Sequence, residues 1–103
     1  MLIVVDLSES VVRLDDPDDF TRFSVAVAGD GDIGPLVRSS GLGRVSDDGN
    51  QVAVDPAALR SLAGAAATPT WEEGFAGMCA YAAGKGWVEA DGGILAHVKR
   101  REG

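Results

Sequence analysis

The fold is decided by residues 51–99, QVAVDPAALRSLAGAAATPTWEEGFAGMCAYAAGKGWVEADGGILAHVK. Four residues rich in valine, Gln51 to Val54, read as a strand. Asp55-Pro56 follows, a helix-start pair in which the aspartate caps and the proline occupies the first helical position. Leu59, Leu62 and Ala63 form the apolar side of that short helix, and Gly64 ends it. A longer helix is predicted from about Thr70 to about Gly84. Its start reads as a capping box, Thr70-Trp71-Glu72-Glu73, in which hydroxyl and carboxylate satisfy free amides. Trp71, Phe75, Met78 and Ala82 fall on one stripe at i, i+4, i+7 and i+11. A hairpin closes the stretch, Trp87–Glu89 against Ile94–Lys99, turning at Asp91-Gly92-Gly93. In its last strand Ile94, Ala96 and Val98 point one way, and Leu95, His97 and Lys99 the other.

Working outward, Arg44–Ser46 and Gln51–Val54 flank Asp47-Asp48-Gly49-Asn50, the clearest tight-turn signal in the chain. Ile33, Leu36 and Val37 predict a short helix ending near Gly41. At the N-terminal side, Leu2–Leu7 and Val11–Leu14 read as two strands of a hairpin around Ser8-Glu9-Ser10. Asp16-Pro17 repeats the helix-start device. Phe20, Phe23 and Val27 then place a helix across residues 16–28, although Phe23, Val25 and Val27 also alternate as a strand would.

From Gln51 onward the order is strand, helix, turn, helix, strand, glycine turn, strand, which resembles a winged helix over about half the chain. The expected fold is therefore one α+β domain over residues 1–103. Its C-terminal half is winged-helix-like, and an N-terminal strand and helix portion packs on it. The resemblance implies DNA binding, but the chemistry opposes it. A recognition helix presents Arg, Lys, Asn or Gln to bases and phosphates. The stretch from Trp71 to Ala83 has none of these and carries Glu72 and Glu73 instead.

Bulk composition narrows the classes further. Of 103 residues, 46% are hydrophobic and 24% charged, an ordinary globular balance. The net charge of −7 disfavours nucleic acid and anionic membranes. Residues 1–50 hold ten acids and four bases, while residues 51–103 hold six and five, so the acidity is concentrated in the first half. Lys99, Arg100 and Arg101 form a small basic end. One cysteine and one histidine preclude a disulfide and a structural zinc within the chain. No basic leader precedes the first strand and no run is long enough to span a bilayer. These features lead us to expect a cytoplasmic location, with no membrane, metal or cofactor. The excess of arginine over lysine, with abundant Ala, Gly, Val and Asp, resembles a GC-rich bacterial genome.

Residues able to carry chemistry each have a competing structural role. His97, the only imidazole, is a candidate acid or base near neutral pH, with Glu89 or Glu72 as its carboxylate partner. The competing role is a strand histidine on a polar face. Glu72 and Glu73 point about 100° apart on a helix, so capping and dipole roles account for both. Cys79 beside an apolar stripe reads as a small buried hydrophobe. The run Asp15-Asp16-Pro17-Asp18-Asp19 lacks the calcium-loop spacing. Trp71, Phe75, Tyr81 and Trp87 cluster within seventeen residues, as a core, a pocket wall or an interface anchor.

The leading expectation is a non-catalytic binding or regulatory module acting through protein contacts, self-association included. Trp71, Phe75, Tyr81, Trp87, Lys99, Arg100 and Arg101 would be its contact residues. The alternative is a metal-independent enzyme or small-molecule binder that uses His97 with Glu89 or Glu72 near an aromatic pocket. A pocket joining His97 to Trp71 or Trp87 favours the alternative. A flat aromatic patch favours protein contacts.

Overall fold

The computed structural model describes residues 1–100. Six strands form one mixed sheet, in chain order β1 (Leu2–Asp6), β2 (Val11–Asp15), β3 (Ser24–Ala28), β4 (Gly43–Val45), β5 (Gln51–Val54) and β6 (Ile94–Arg100). Three helices accompany them: α1 (Gly34–Ser39), α2 (Pro56–Ala63) and α3 (Pro69–Gly84). Across the sheet the order is β2-β1-β3-β6-β5-β4. The pairs β1–β3 and β3–β6 are parallel, and β1–β2, β5–β6 and β4–β5 are antiparallel.

The hairpin turns form where the residues that favour them stand. Asp6 Oδ1 accepts the amides of Ser8 (3.0 Å) and Glu9 (3.1 Å), which folds the chain back from β1 into β2. Between β4 and β5, Asp48 Oδ1 accepts the Ser46 hydroxyl at 2.6 Å and the Asn50 amide at 3.0 Å. Gly49 supplies the positive φ of 74° this turn requires. Asp55 caps α2 by accepting from Ala57 N at 2.9 Å, with Pro56 in the first turn.

Side-chain alternation sets the layers. Ile3, Val5, Val25, Val27, Val52, Val54, Ile94 and Ala96 join one core cluster on one sheet face. Trp71, Phe75, Met78 and Ala82 of α3 belong to the same cluster, as do Val37 of α1 and Leu59 of α2. The opposite face carries Arg13, Val4, Ala26 and Lys99 in one row across four strands. Val4 and Ala26 are buried while Arg13 and Lys99 at the ends of the row are exposed. That pattern fits long charged side chains laying their stems over small apolar neighbours.

Three expectations need correction. Residues 16–28 do not form a helix. Asp16 adopts φ 48°, one turn closes with Asp19 N donating to Asp16 O at 3.0 Å, and Ser24–Ala28 is strand β3. The parallel edge of β1 offers partners to the backbone of this segment, and Val25, Ala26 and Val27 are all buried. The alternation of Phe23, Val25 and Val27 therefore outweighs the Asp-Pro start. Second, α3 is capped at Thr68, whose hydroxyl accepts from Trp71 N at 3.2 Å, with Pro69 in its first turn. The cap falls two residues before Thr70, because a proline at the first helical position loses no hydrogen bond. Third, the last hairpin is shorter on its first side. Its described pairing is one bridge, Val88 with Ile94, and β6 passes on to lie between β3 and β5.

Candidate functional site

The concave regions differ in kind. One, of about 600 Å³, is a shallow trough between α1, α2 and the β1–β2 turn, lined by serines and apolar residues. A smaller and more enclosed cleft, of about 220 Å³, is built from aromatic walls. Its origin lies in the sheet. On one side of β6, Leu95 N donates to Trp87 O at 2.8 Å, and two residues later His97 is opposite Ser24 of β3. The partner on that side thus changes from the 87–88 segment to β3, and the cleft opens beside the change-over.

Three segments wall it. From α3 come Met78 and, one turn on, Tyr81 and Ala82 to either side of it. From the loop entering β3 come Phe20, Thr21 and Phe23. From the sheet side come Gln51, Trp87, Ile94, Leu95 and His97. Gln51 and His97 are register partners across β5 and β6, so their side chains stand together on one face. Tyr81 and Trp87 meet edge to face at 6.0 Å between ring centroids. They remain 62% and 45% exposed, among the largest apolar surfaces the described residues leave open. Lys85 Nζ lies 5.5 Å from the Tyr81 ring centroid, a cation over an aromatic face.

The aromatic candidates therefore separate into two groups. Trp71 and Phe75 are core residues, 2% and 1% exposed, stacked at 4.8 Å. Trp71 Nε1 donates to Pro17 O at 2.8 Å, so its one polar atom is used to hold the 16–22 loop on α3. Tyr81 and Trp87 are the surface pair. Phe20 bridges the groups: its ring lies 6.1 Å from that of Trp71 and also lines the cleft.

The proposed acid–base pair is not assembled there. Glu72 lies at the start of α3 with Arg60, whose Nε donates to it at 3.1 Å, and Arg60 also sits 5.2 Å from the Phe75 ring centroid. Glu89 lines a separate hollow with Arg44 and Asp47. Among the described residues no Asp, Glu, Lys or Arg lines the aromatic cleft; His97 is its imidazole. Cys79 is partly buried in α3, and burial raises its thiol pKa, with Arg60 opposing. Among the described residues no three His, Cys, Asp or Glu side chains gather as metal donors.

The basic end is divided. Lys99 lines a hollow with Asp16 and Asp19. Arg100 is exposed at the end of β6, and Arg101 lies outside the described residues. Phe20, Phe23 and Gln51 were missed as site residues. The first two were assigned to a helix, and Gln51 is identified only by the register that sets it beside His97.

Fold and cleft together define a small α+β domain with a one-sided helical layer and an aromatic recess, lined by no Asp, Glu, Lys or Arg among the described residues, at a break in strand pairing. No family model matches the sequence, no curated protein matches it, and no solved structure matches the fold. No described helix is long and apolar enough to cross a membrane.

Proposed function

We propose that the protein is a non-catalytic binding module whose working surface is the cleft between α3, the 20–23 loop and β6; because Trp87 and His97 line one recess and not a flat patch, the small-molecule side of the alternative is favoured over protein contacts. The observation that carries this reading is the composition of the cleft. Four rings, Phe20, Phe23, Tyr81 and Trp87, surround His97, Gln51 and Thr21 with no carboxylate among the lining residues. No carboxylate lines the cleft with the imidazole, and a carboxylate is the partner that most often orients a histidine for general acid–base chemistry. Exposed aromatics beside a small recess are instead the anchor geometry of binding sites.

The winged-helix likeness of residues 51–99 belongs with this reading as an arrangement of elements, since fold does not fix function. In that comparison α3 is the recognition helix, and its apolar stripe is spent on the core. Nucleic acid is disfavoured by the acid in its first turn and by the net charge of −7.

The test uses the purified protein immobilised beside its Trp87→Ala variant and exposed to lysate of the source cell. Bound proteins and bound small molecules are then identified by mass spectrometry. The expected result is a species held by the wild type and lost by the variant. If everything retained is retained equally by both, the cleft is not the working surface.

A further inference from the structure

We propose that the cleft takes a neutral, planar aromatic molecule of one or two fused rings carrying a hydrogen-bonding group at one edge. The inference rests on reading the cleft as a binding site and adds the chemistry of its occupant. Three observations lead to it.

The first is size. A volume of about 220 Å³ corresponds to about seven waters. That is below the roughly 300–1,000 Å³ of sites for drug-sized ligands, and it suits one ring system. The second is charge. With no Asp, Glu, Lys or Arg lining the cleft, an ammonium entering it would be desolvated without a counter-charge, and a carboxylate would have the His97 imidazole alone to pair with. The net charge of −7 adds repulsion against anions, and Lys85 beside Tyr81 adds repulsion against cations at the rim. The third is polarity at one end. His97, Gln51 and Thr21 provide donors and acceptors, while the opposite walls are rings and Met78. A ring with one polar edge satisfies both ends.

The surroundings favour a free molecule over a side chain delivered by a peptide. Peptides bound beside a sheet are commonly held by pairing with a free strand edge. Here β6 is flanked by β3 and β5, and Leu95 N is already bonded to Trp87 O. Beside the cleft the stretch of β6 between the Leu95–Trp87 bond and the start of the β3 ladder at His97 is two residues long, too short to pair an added strand.

The experiment is a titration of the uniformly 15N-labelled 103-residue chain followed by amide and indole NMR resonances. The probes are indole, phenol, indole-3-carboxylate, benzyltrimethylammonium and N-acetyltryptophanamide. Indole and phenol are expected to shift Trp87, Leu95 and His97 saturably. Indole-3-carboxylate and benzyltrimethylammonium should each bind at least tenfold more weakly than indole. Trp87→Ala and Tyr81→Ala should each weaken indole at least tenfold, with unchanged resonance dispersion as proof of folding. A charged probe binding as tightly as indole overturns the proposal, as does the absence of any saturable shift at the cleft. N-acetyltryptophanamide binding more tightly than indole overturns the assignment to a free molecule. If neutral rings fail to bind while capture from lysate still depends on Trp87, the ligand class falls and the binding-module reading stands.

Discussion

Replacing Gly74 by alanine tests how the 20–23 loop is held on α3. An alanine normally stabilises a helix interior by about 0.8–1 kcal/mol relative to glycine. At Gly74 a Cβ would lie 2.3 Å from Phe20 Cε2, 2.7 Å from Cζ and 2.8 Å from Cδ2. Carbon atoms rest about 3.5–4 Å apart, so the ring must retreat by about 1 Å or more. Overpacking of this kind costs about 1–3 kcal/mol. Loosening the Phe20–Trp71 pair, now 6.1 Å between centroids, adds about 0.5–1.5 kcal/mol. Against the helix gain, the net loss is about 0.5–3.5 kcal/mol, at roughly 4–8 °C in Tm for each kcal/mol. Gly77, three residues on, has no heavy atom within 4 Å of the same added carbon. Gly77→Ala should therefore gain about 0.8–1 kcal/mol. Urea unfolding followed by tryptophan fluorescence should separate the two midpoints by about 1–2 M. In a Phe20→Ala background, Gly74→Ala should become stabilising, because the obstructing ring is gone. A Gly74→Ala midpoint equal to or above that of Gly77→Ala refutes the reasoning.

Arg60→Ala should cost about 0.5–1.5 kcal/mol and Glu72→Gln less, since the variant at 60 loses both the exposed ion pair and the contact with the Phe75 ring; urea curves at low and high salt check the order. Cys79 should react with a thiol reagent at pH 8 more slowly than a free cysteine, and at the free rate once urea unfolds the chain, because burial raises its pKa. Asp48 is held below its ordinary value, first by the Ser46 hydroxyl and then by the Asn50 amide. A carboxyl depressed by folding stabilises above its unfolded pKa, and this is lost as pH falls through the native one. Ser46→Ala should therefore raise the Asp48 pKa in an NMR titration and narrow that acidic window; an unchanged value removes the hydroxyl as the cause. Gly43→Ala should lose at least about 2 kcal/mol, since an added Cβ would fall 1.8 Å from the Ala53 carbonyl oxygen and φ is 154°.

Most elements after residue 43, the strand expected at 87–89 excepted, are legible because local chemistry and burial agree there. Asp55-Pro56 starts a helix, Asp48-Gly49 turns a hairpin, and the Trp71-Phe75-Met78-Ala82 stripe faces the core. Across residues 16–28 the Asp16-Pro17 start is a strong local signal for helix and leaves 23–28 open between helix and strand, because the deciding partner, the edge of β1, is nearby only in three dimensions. The same holds for the cleft. Tyr81 and Trp87 could be singled out as aromatics, but their exposure depends on which face of α3 the sheet covers. Gln51 reaches His97 only through the β5–β6 register, a pairing 46 residues apart in the chain. Placing Glu72 with Arg60 likewise depended on knowing that α2 meets the start of α3.

The position of β6 has a consequence for how the chain is built. The trio β2-β1-β3 and the pair β5-β4 share no ladder with each other; each reaches the other through β6 alone. During synthesis the two parts can form their own hairpins, but they remain unjoined in the sheet until residues 94–100 clear the ribosome. A peptide spanning those residues, added to a chain lacking them, would act as the missing middle plank and not as an edge trim. Complementation by such a peptide would therefore be all or none.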